Sequence, residues 1–278
     1  MTTDIVGVSV SLFCVKRHFH HLLKKGVEVF LERHMSQVHD LEIRLSDIRG
    51  EHILLVLWCD NQQARTIAKN ADLFFKDFFI SYNFTVDEIV LPVPGIFMPF
   101  PANTVRYGLH IAKDRDPLRT KFSAILIEAM GSNEIDDESI ITFAFYLYLG
   151  MIRKRRIVHF SHRNYNYAAV HQLTKPSVKH EEDLFNEYLL QEDLLVEIAR
   201  EVMLSDEIIV AKSTSWMGAW LALCEPLTIG SPETAHDSHL VQIINEQVGL
   251  GEESKMLLNC FLNNALAACQ VNHGDQCL

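Results

Sequence analysis

Two arginines are the residues in this chain whose settings most demand a chemical reason: Arg44 in the run LEIRL and Arg106 in NTVRYG. Arg44 interrupts an apolar alternation. Arg106 follows a stretch of prolines and aromatics and precedes Tyr107-Gly108. A guanidinium is permanently charged and offers a planar fork of donors that matches a carboxylate or phosphate. If the two converge on one cleft, that cleft binds an anion.

Other polar clusters are weaker. His18, His20 and His21 form HFHH, in which His18 and His21 share a helical face but no third metal ligand is identifiable. The segment RKRRIVHFSHR, from Arg153 to Arg163, sets consecutive cations in an acidic protein. It reads either as a helix C-terminus favoured by the dipole or as an anion-binding surface. The acids from Glu181 to Glu207 read as a solvated helix face. No GxSxG elbow, P-loop or dinucleotide glycine pattern is present, so nucleotide-dependent chemistry is not a first choice and no cofactor or metal is implied.

The elements that must position these residues follow from hydrophobic period. VGVSVSLFCV, LEIRLSDI and HILLVLWC read as strands, with Gly50 in the connection between the last two. HFHHLLKKGVEVFLERHMSQV and NQQARTIAKNADLFFKDFFISYNF read as helices, and DEIVLPV as a short strand ended by Pro92 and Pro94. Strand, helix, two strands, helix, strand is a split βαβ order. It implies an α+β fold: an antiparallel-rich sheet over residues 1–100 with its helices on one face. PVPGIFMPFPANTVRYG reads as a loop or extended arm, because its prolines fit neither a helix interior nor a central strand.

From Pro117 the texture is helical. DPLRTKFSAILIEAM carries Asp116 and Pro117 as a start signal. DDESIITFAFYLYLGMI, HEEDLFNEYLLQEDLLVEIAREVML, TSWMGAWLALCEPL, HLVQIINEQVGL and EESKMLLNCFLNNALAACQV follow as helices, with GSPETAHDSH as a polar loop. Residues 101–278 are thus a helical C-terminal half, and the two parts are expected to form one compact domain.

Composition narrows the class. The 278 residues are 48% apolar and 22% charged, enough to bury a real core. The net charge of -11 argues against general nucleic-acid binding. The six cysteines form no CxxC pair and read as reduced, mostly buried thiols of a cytoplasmic protein. SIITFAFYLYLGMI falls short of the roughly 20 residues that span a bilayer and reads as a core helix or a subunit interface.

Three short motifs in this order carry a family resemblance: Asp40-Leu41-Glu42-Ile43-Arg44-Leu45, then Arg106-Tyr107-Gly108, then Leu258-Asn259-Cys260 with Asn263-Asn264. The chain resembles the elimination domain of class I lantibiotic dehydratases and the stand-alone thiopeptide-type bacteriocin biosynthesis proteins. The resemblance implies modification of a ribosomally made precursor peptide. The reaction would be either glutamate elimination to dehydroamino acids or a cyclisation that joins two dehydroalanines into a pyridine. It implies catalytic roles for Arg44, Arg106 and Tyr107. Substrate-binding roles fall to Asn259, Asn263, His110, Arg153 and Arg156. The partners implied are the precursor peptide, other biosynthetic enzymes and, as an allowance, a second copy in a homodimer. The family pattern has His and Arg where this chain has Asp40 and Glu42, and an acid/base His where it has Asn259. Asn takes up no proton near neutral pH. The change favours the cyclising branch, an altered reaction or a leader-binding module without turnover; an unrelated α+β interaction protein is the remaining alternative.

Overall fold

The computed structural model describes residues 4–82, 99–109, 114–131, 135–159, 178–204, 215–225 and 233–274. The strand expected at DEIVLPV, most of the proline-rich stretch before it reaches Pro99, His110, and the end of RKRRIVHFSHR with His162 lie outside the described residues. The chain divides into two compact units. The first comprises residues 1–136 and 246–249, and the second 137–245 and 250–278.

The first unit is built on four strands: β1 (Ile5–Phe13), β2 (Val38–Ser46), β3 (His52–Asp60) and β4 (Thr104–Tyr107). Their order in the sheet is β2-β3-β1-β4, every neighbouring pair antiparallel. Helix α1 (residues 16–34) links β1 to β2, and α2 (Ala64–Tyr82) links β3 to β4. This is the split βαβ arrangement that the hydrophobic pattern implies. One part of that reading is corrected: Thr104–Tyr107 is a strand paired with β1, not a loop or arm. The pattern fails there because four residues are too few to display an alternation beside prolines.

Period-two alternation explains the two faces. On β1, Val6, Val8, Val10 and Leu12 point to one side and Gly7, Ser9, Ser11 and Phe13 to the other. The apolar side continues through Ile43, Leu45, Ile53, Leu55 and Leu57 and is buried. Helix α1 adds Phe19, Leu22, Leu23, Val27 and Phe30 to the core, and α2 adds Ile67, Ala71, Phe75 and Phe79. Within α1 the turn Leu22–Val27 is π-helical and holds Gly26, where an added Cβ would meet Leu22 at 3.0 Å.

Helix α3 (Pro117–Met130) starts as its sequence suggests: the Asp116 side chain accepts from the Leu118 amide and Pro117 holds the first helical position. It lies along β2. There the Ile43 amide donates to Ser123 Oγ at 2.8 Å, and the Ile43 carbonyl accepts from Gln247 Nε2 at 2.7 Å. Gln247 is fully buried and also donates to Ser123 Oγ at 2.9 Å. Both outward backbone groups of Ile43, at the middle of the outer edge of β2, are therefore satisfied by side chains, which blocks strand pairing there. Gly249 completes the seal with a φ of 74°; an added Cβ would lie 2.3 Å from the Leu45 carbonyl oxygen.

The second unit is helical: α4 (Asp137–His159), α5 (Val178–Leu204), α6 (Ser215–Leu223), α7 (Glu233–Gln247, its last turn counted with the first unit) and α8 (Glu252–Gly274). The apolar segment from Ser139 is core here, with Phe143, Phe145, Leu147, Tyr148 and Leu149 buried. Trp220 donates its indole N–H to the Leu147 carbonyl at 2.8 Å and packs where Gly150 leaves room. Helix α7 begins at Glu233, so the polar loop expected through His239 is instead its first turns. Pro232 directly before Glu233 is a start signal that the polar composition masks. Among the described residues no helix is long and apolar enough to cross a membrane, and the five described cysteines are free thiols.

Candidate functional site

The sheet register puts Arg44 opposite Leu54, Leu54 opposite Ser11, and Ser11 opposite Arg106. Directly paired residues point to the same face. The two arginines therefore close the two ends of a single row, on the face turned away from α1 and α2. Three strand spacings separate them, about 14 Å. The adjacent row runs Glu42, Val56, Ser9, and the next Asp40, Trp58, Gly7. This face mixes polar and small groups with the buried Leu54, Val56 and Trp58, where the opposite face is apolar apart from Tyr107.

The ends of the row differ in charge state. Arg44 binds Glu42 Oε1 through Nη2 at 2.6 Å and Nε at 2.7 Å, and faces Glu246 at 3.6 Å. Glu42 and Glu246 are shared with Arg119, at 3.4 Å and 2.8 Å. Arg119 also reaches Asp116 at 3.4 Å, and Arg115 pairs with Asp40. Three guanidinium groups thus face four carboxylates, and Arg44 has no charge left over for a ligand. This corrects the expectation that both arginines neutralise an anion. Glu42 is 3% exposed, and a carboxylate so buried requires cations beside it. The departures at Asp40 and Glu42 are what anchor Arg115, Arg44 and Arg119.

Arg106 is exposed, and among the described residues no carboxylate pairs with it. Its guanidinium lies 5.0 Å from the Phe100 ring centroid, and that of Arg49 lies 4.8 Å from the same ring. Phe100 in turn meets Phe13 at 5.1 Å, and Phe13 stacks on His52 at 4.5 Å. The Phe100 amide donates to the Arg49 carbonyl at 2.7 Å, which fixes the ring against the β2–β3 connection. Arg49 and Gly50 both have positive φ, 64° and 114°. Burial lowers the His52 pKa, the bond between its Nδ1 and the Gly50 carbonyl and the Asp47 charge opposing in part.

The two adjacent rows hold two buried polar atoms without a partner among the described residues: Ser9 Oγ and Trp58 Nε1. Trp58 is 4% exposed, and the glycine opposite it, Gly7, leaves its indole room. An unpaired buried donor costs about 1–3 kcal/mol, so Trp58 Nε1 calls for a partner that the described side chains do not supply, a water or a ligand. Sequence pattern held half of this signal. Gly7, Ser9 and Ser11 alternate legibly along β1, whereas the unbroken apolar run of β3 hides which face Trp58 takes.

Tyr107 departs from its expected catalytic place. It alternates to the helix-bearing face, where its hydroxyl donates to the Ala68 carbonyl at 2.9 Å. Burial first, and then the Asp72 charge, raise its pKa well above the usual phenol range. It is a tie between β4 and α2. In the second unit, Asn259 accepts from Asn263 Nδ2 at 3.4 Å along α8. Arg153 is buried and donates to the Val202 carbonyl, joining α4 to α5, rather than offering its charge to a ligand. His110 and the Arg156 side chain fall outside the described residues. Among the described residues no group of His, Cys, Asp or Glu is placed to hold a metal ion.

No protein-family model matches the chain, and no curated protein matches it in sequence. Solved structures do match. One is a pyridine synthase, TbtD, from thiomuracin biosynthesis, with a TM-score of 0.63 over 95% of this chain and 98% of that one, at 13% identity. At that identity the likeness is one of fold, and it extends over the whole chain.

Proposed function

We propose that this chain acts on a ribosomally made precursor peptide, promoting a cyclisation of the pyridine-forming type at the polar face of the sheet. The observation that carries the reading is the row closed by Arg106, with unsatisfied donors at Ser9 and Trp58 in the next two rows, in a chain that matches the fold of a pyridine synthase over 95% of its length. Joining two dehydroalanines to the amide beside one of them forms two C–C bonds, and the ring becomes aromatic when the amide oxygen leaves as water and the α-nitrogen of the other dehydroalanine leaves, with its attached segment, as an amide; the site must hold the segments together and offer hydrogen-bond donors to that oxygen. Arg106 and Trp58 Nε1 are donors of that kind. Arg106 would hold an anionic or carbonyl group of the peptide, Trp58 and Ser9 would engage backbone carbonyls, and Arg44 would keep Glu42 and the edge of the face in place. Asn259, where the elimination family has a His, supports cyclisation over glutamate elimination.

The test is incubation of the purified protein with a precursor carrying two dehydroalanines, followed by mass spectrometry and by ultraviolet absorbance for a new aromatic ring. A ring that forms with the native chain and not with Arg106→Ala supports the reading. No product from any dehydrated peptide encoded beside this gene overturns it. A second reading, capture of the peptide without turnover, is favoured by the neutralised Arg44; it expects tight binding with no change of mass.

A further inference from the structure

A second concave surface lies on the other side of the sheet, between α1 and α2. It is a groove of about 540 Å³. Its walls are Lys25, Val29 and Arg33 at four-residue spacing on α1 and Phe74, Phe78 and Tyr82 at the same spacing on α2. Each set spans two helical turns, about 12 Å. The residues that seal these helices to the sheet alternate with them, so the groove opens outward.

The floor is aromatic. Phe78 stacks on Tyr82 at 4.4 Å, and Phe74 lies 6.5 Å from Phe78. Leu73 and Tyr82 on its rim are 54% and 43% exposed. The rim is basic in an acidic chain. Among the described residues neither Lys25 nor Arg33 has a carboxylate partner, and Arg33 lies 5.2 Å over Phe74. Asp77 is the only acid among the described residues of the lining.

We infer that this groove docks an acidic amphipathic helix from the peptide substrate, its apolar face on Phe74, Phe78 and Tyr82 and its carboxylates against Lys25 and Arg33. The inference rests on the peptide reading above and adds where the peptide is held apart from the reacting row. Two ridges of i, i+4 side chains around an apolar trough are the shape in which a helix lays its apolar stripe. Charge selects the partner, because an acidic helix is attracted to the rim and a basic one is repelled. Since the groove and the row lie on opposite sides of the sheet, the segment that reacts must be separated from the docked helix by a linker of at least about six extended residues.

The probe is a fluorescein-labelled synthetic helix of about 16 residues, with Leu and Phe on one face and Glu on its flanks. Two companions carry Lys for Glu and Ala for Leu and Phe. Fluorescence anisotropy with the full chain is expected to show micromolar binding of the acidic helix only. The double variant Lys25→Glu/Arg33→Glu, whose fold is checked by circular dichroism, should weaken it by about tenfold or more. Leu73→Asp should weaken it independently, and Arg106→Ala should leave it unchanged. Equal binding of the acidic and basic helices, no binding at all, or an unchanged affinity in the charge-reversed variant overturns the inference. Docking that survives Arg106→Ala while no ring ever forms counts against the chemistry and not against the groove.

Discussion

Arg44 and Arg106 terminate one row of side chains across a four-stranded sheet, yet among the described residues carboxylates bind only Arg44. Equivalent residues by type and register therefore do different work. Replacing each by Met separates them. Arg44→Met leaves Glu42 buried with Arg119 alone and should destabilise the protein by about 2 kcal/mol. Arg106→Met should cost less than about 1 kcal/mol while reducing ring formation about 100-fold. Urea unfolding and a turnover assay on both variants check this; an equal loss of stability would contradict the division.

The unpaired donors give a trade between stability and activity. Ser9→Ala removes a buried hydroxyl that has no partner, so the free protein should be unchanged or more stable by up to about 1 kcal/mol. Trp58→Phe should be close to neutral in stability and should slow turnover about tenfold. Thermal unfolding beside single-turnover rates would decide; a marked loss of stability in Ser9→Ala would mean that the hydroxyl already has a structural partner.

The outer edge of β2 should prove fragile. Ser123→Ala deprives the Ile43 amide of its acceptor and is expected to cost about 1–3 kcal/mol. Gly249→Ala should be worse, about 3 kcal/mol or more, because its backbone is left-handed and the new Cβ overlaps the Leu45 carbonyl. Denaturation midpoints order the two, and light scattering reports whether the opened edge recruits other chains.

His52 sets a pH dependence. Its folded pKa lies below the ordinary 6.5, mainly through burial. Between that lowered value and 6.5 the unfolded chain binds a proton that the folded chain does not. Stability therefore falls as pH drops through 6.5 and levels off below the folded pKa. His52→Phe, which keeps an aromatic ring beside Phe13, should lose stability less steeply between pH 7.5 and 5.5. The difference in urea midpoints between variant and native chain isolates this group from the other histidines.

The sheet and its helices were legible wherever the period was long enough to see. VGVSVSLF announces both faces of β1, and Asp116-Pro117 announces α3. β4 was hidden because it is short and lies beside prolines. The ion pairs that silence Arg44 were not legible, because Arg119 and Glu246 lie 75 and more than 200 residues away in sequence. Tyr107 shows a further limit: adjacency to Arg106 in the chain places it, by alternation alone, on the opposite side of the strand. That much the residues did contain, and counting from Arg106 would have found it.

The Ile43 edge is sealed by a glutamine 204 residues further along the chain. A ribosome adds about 5–20 residues per second, so β2 is made roughly 10 to 40 s before its lid exists. During that interval a nascent strand offers its bare Ile43 carbonyl to any neighbour on the same polysome. Chaperone dependence during expression, and insoluble products from messages truncated ahead of codon 247, are the cellular signature of that delay.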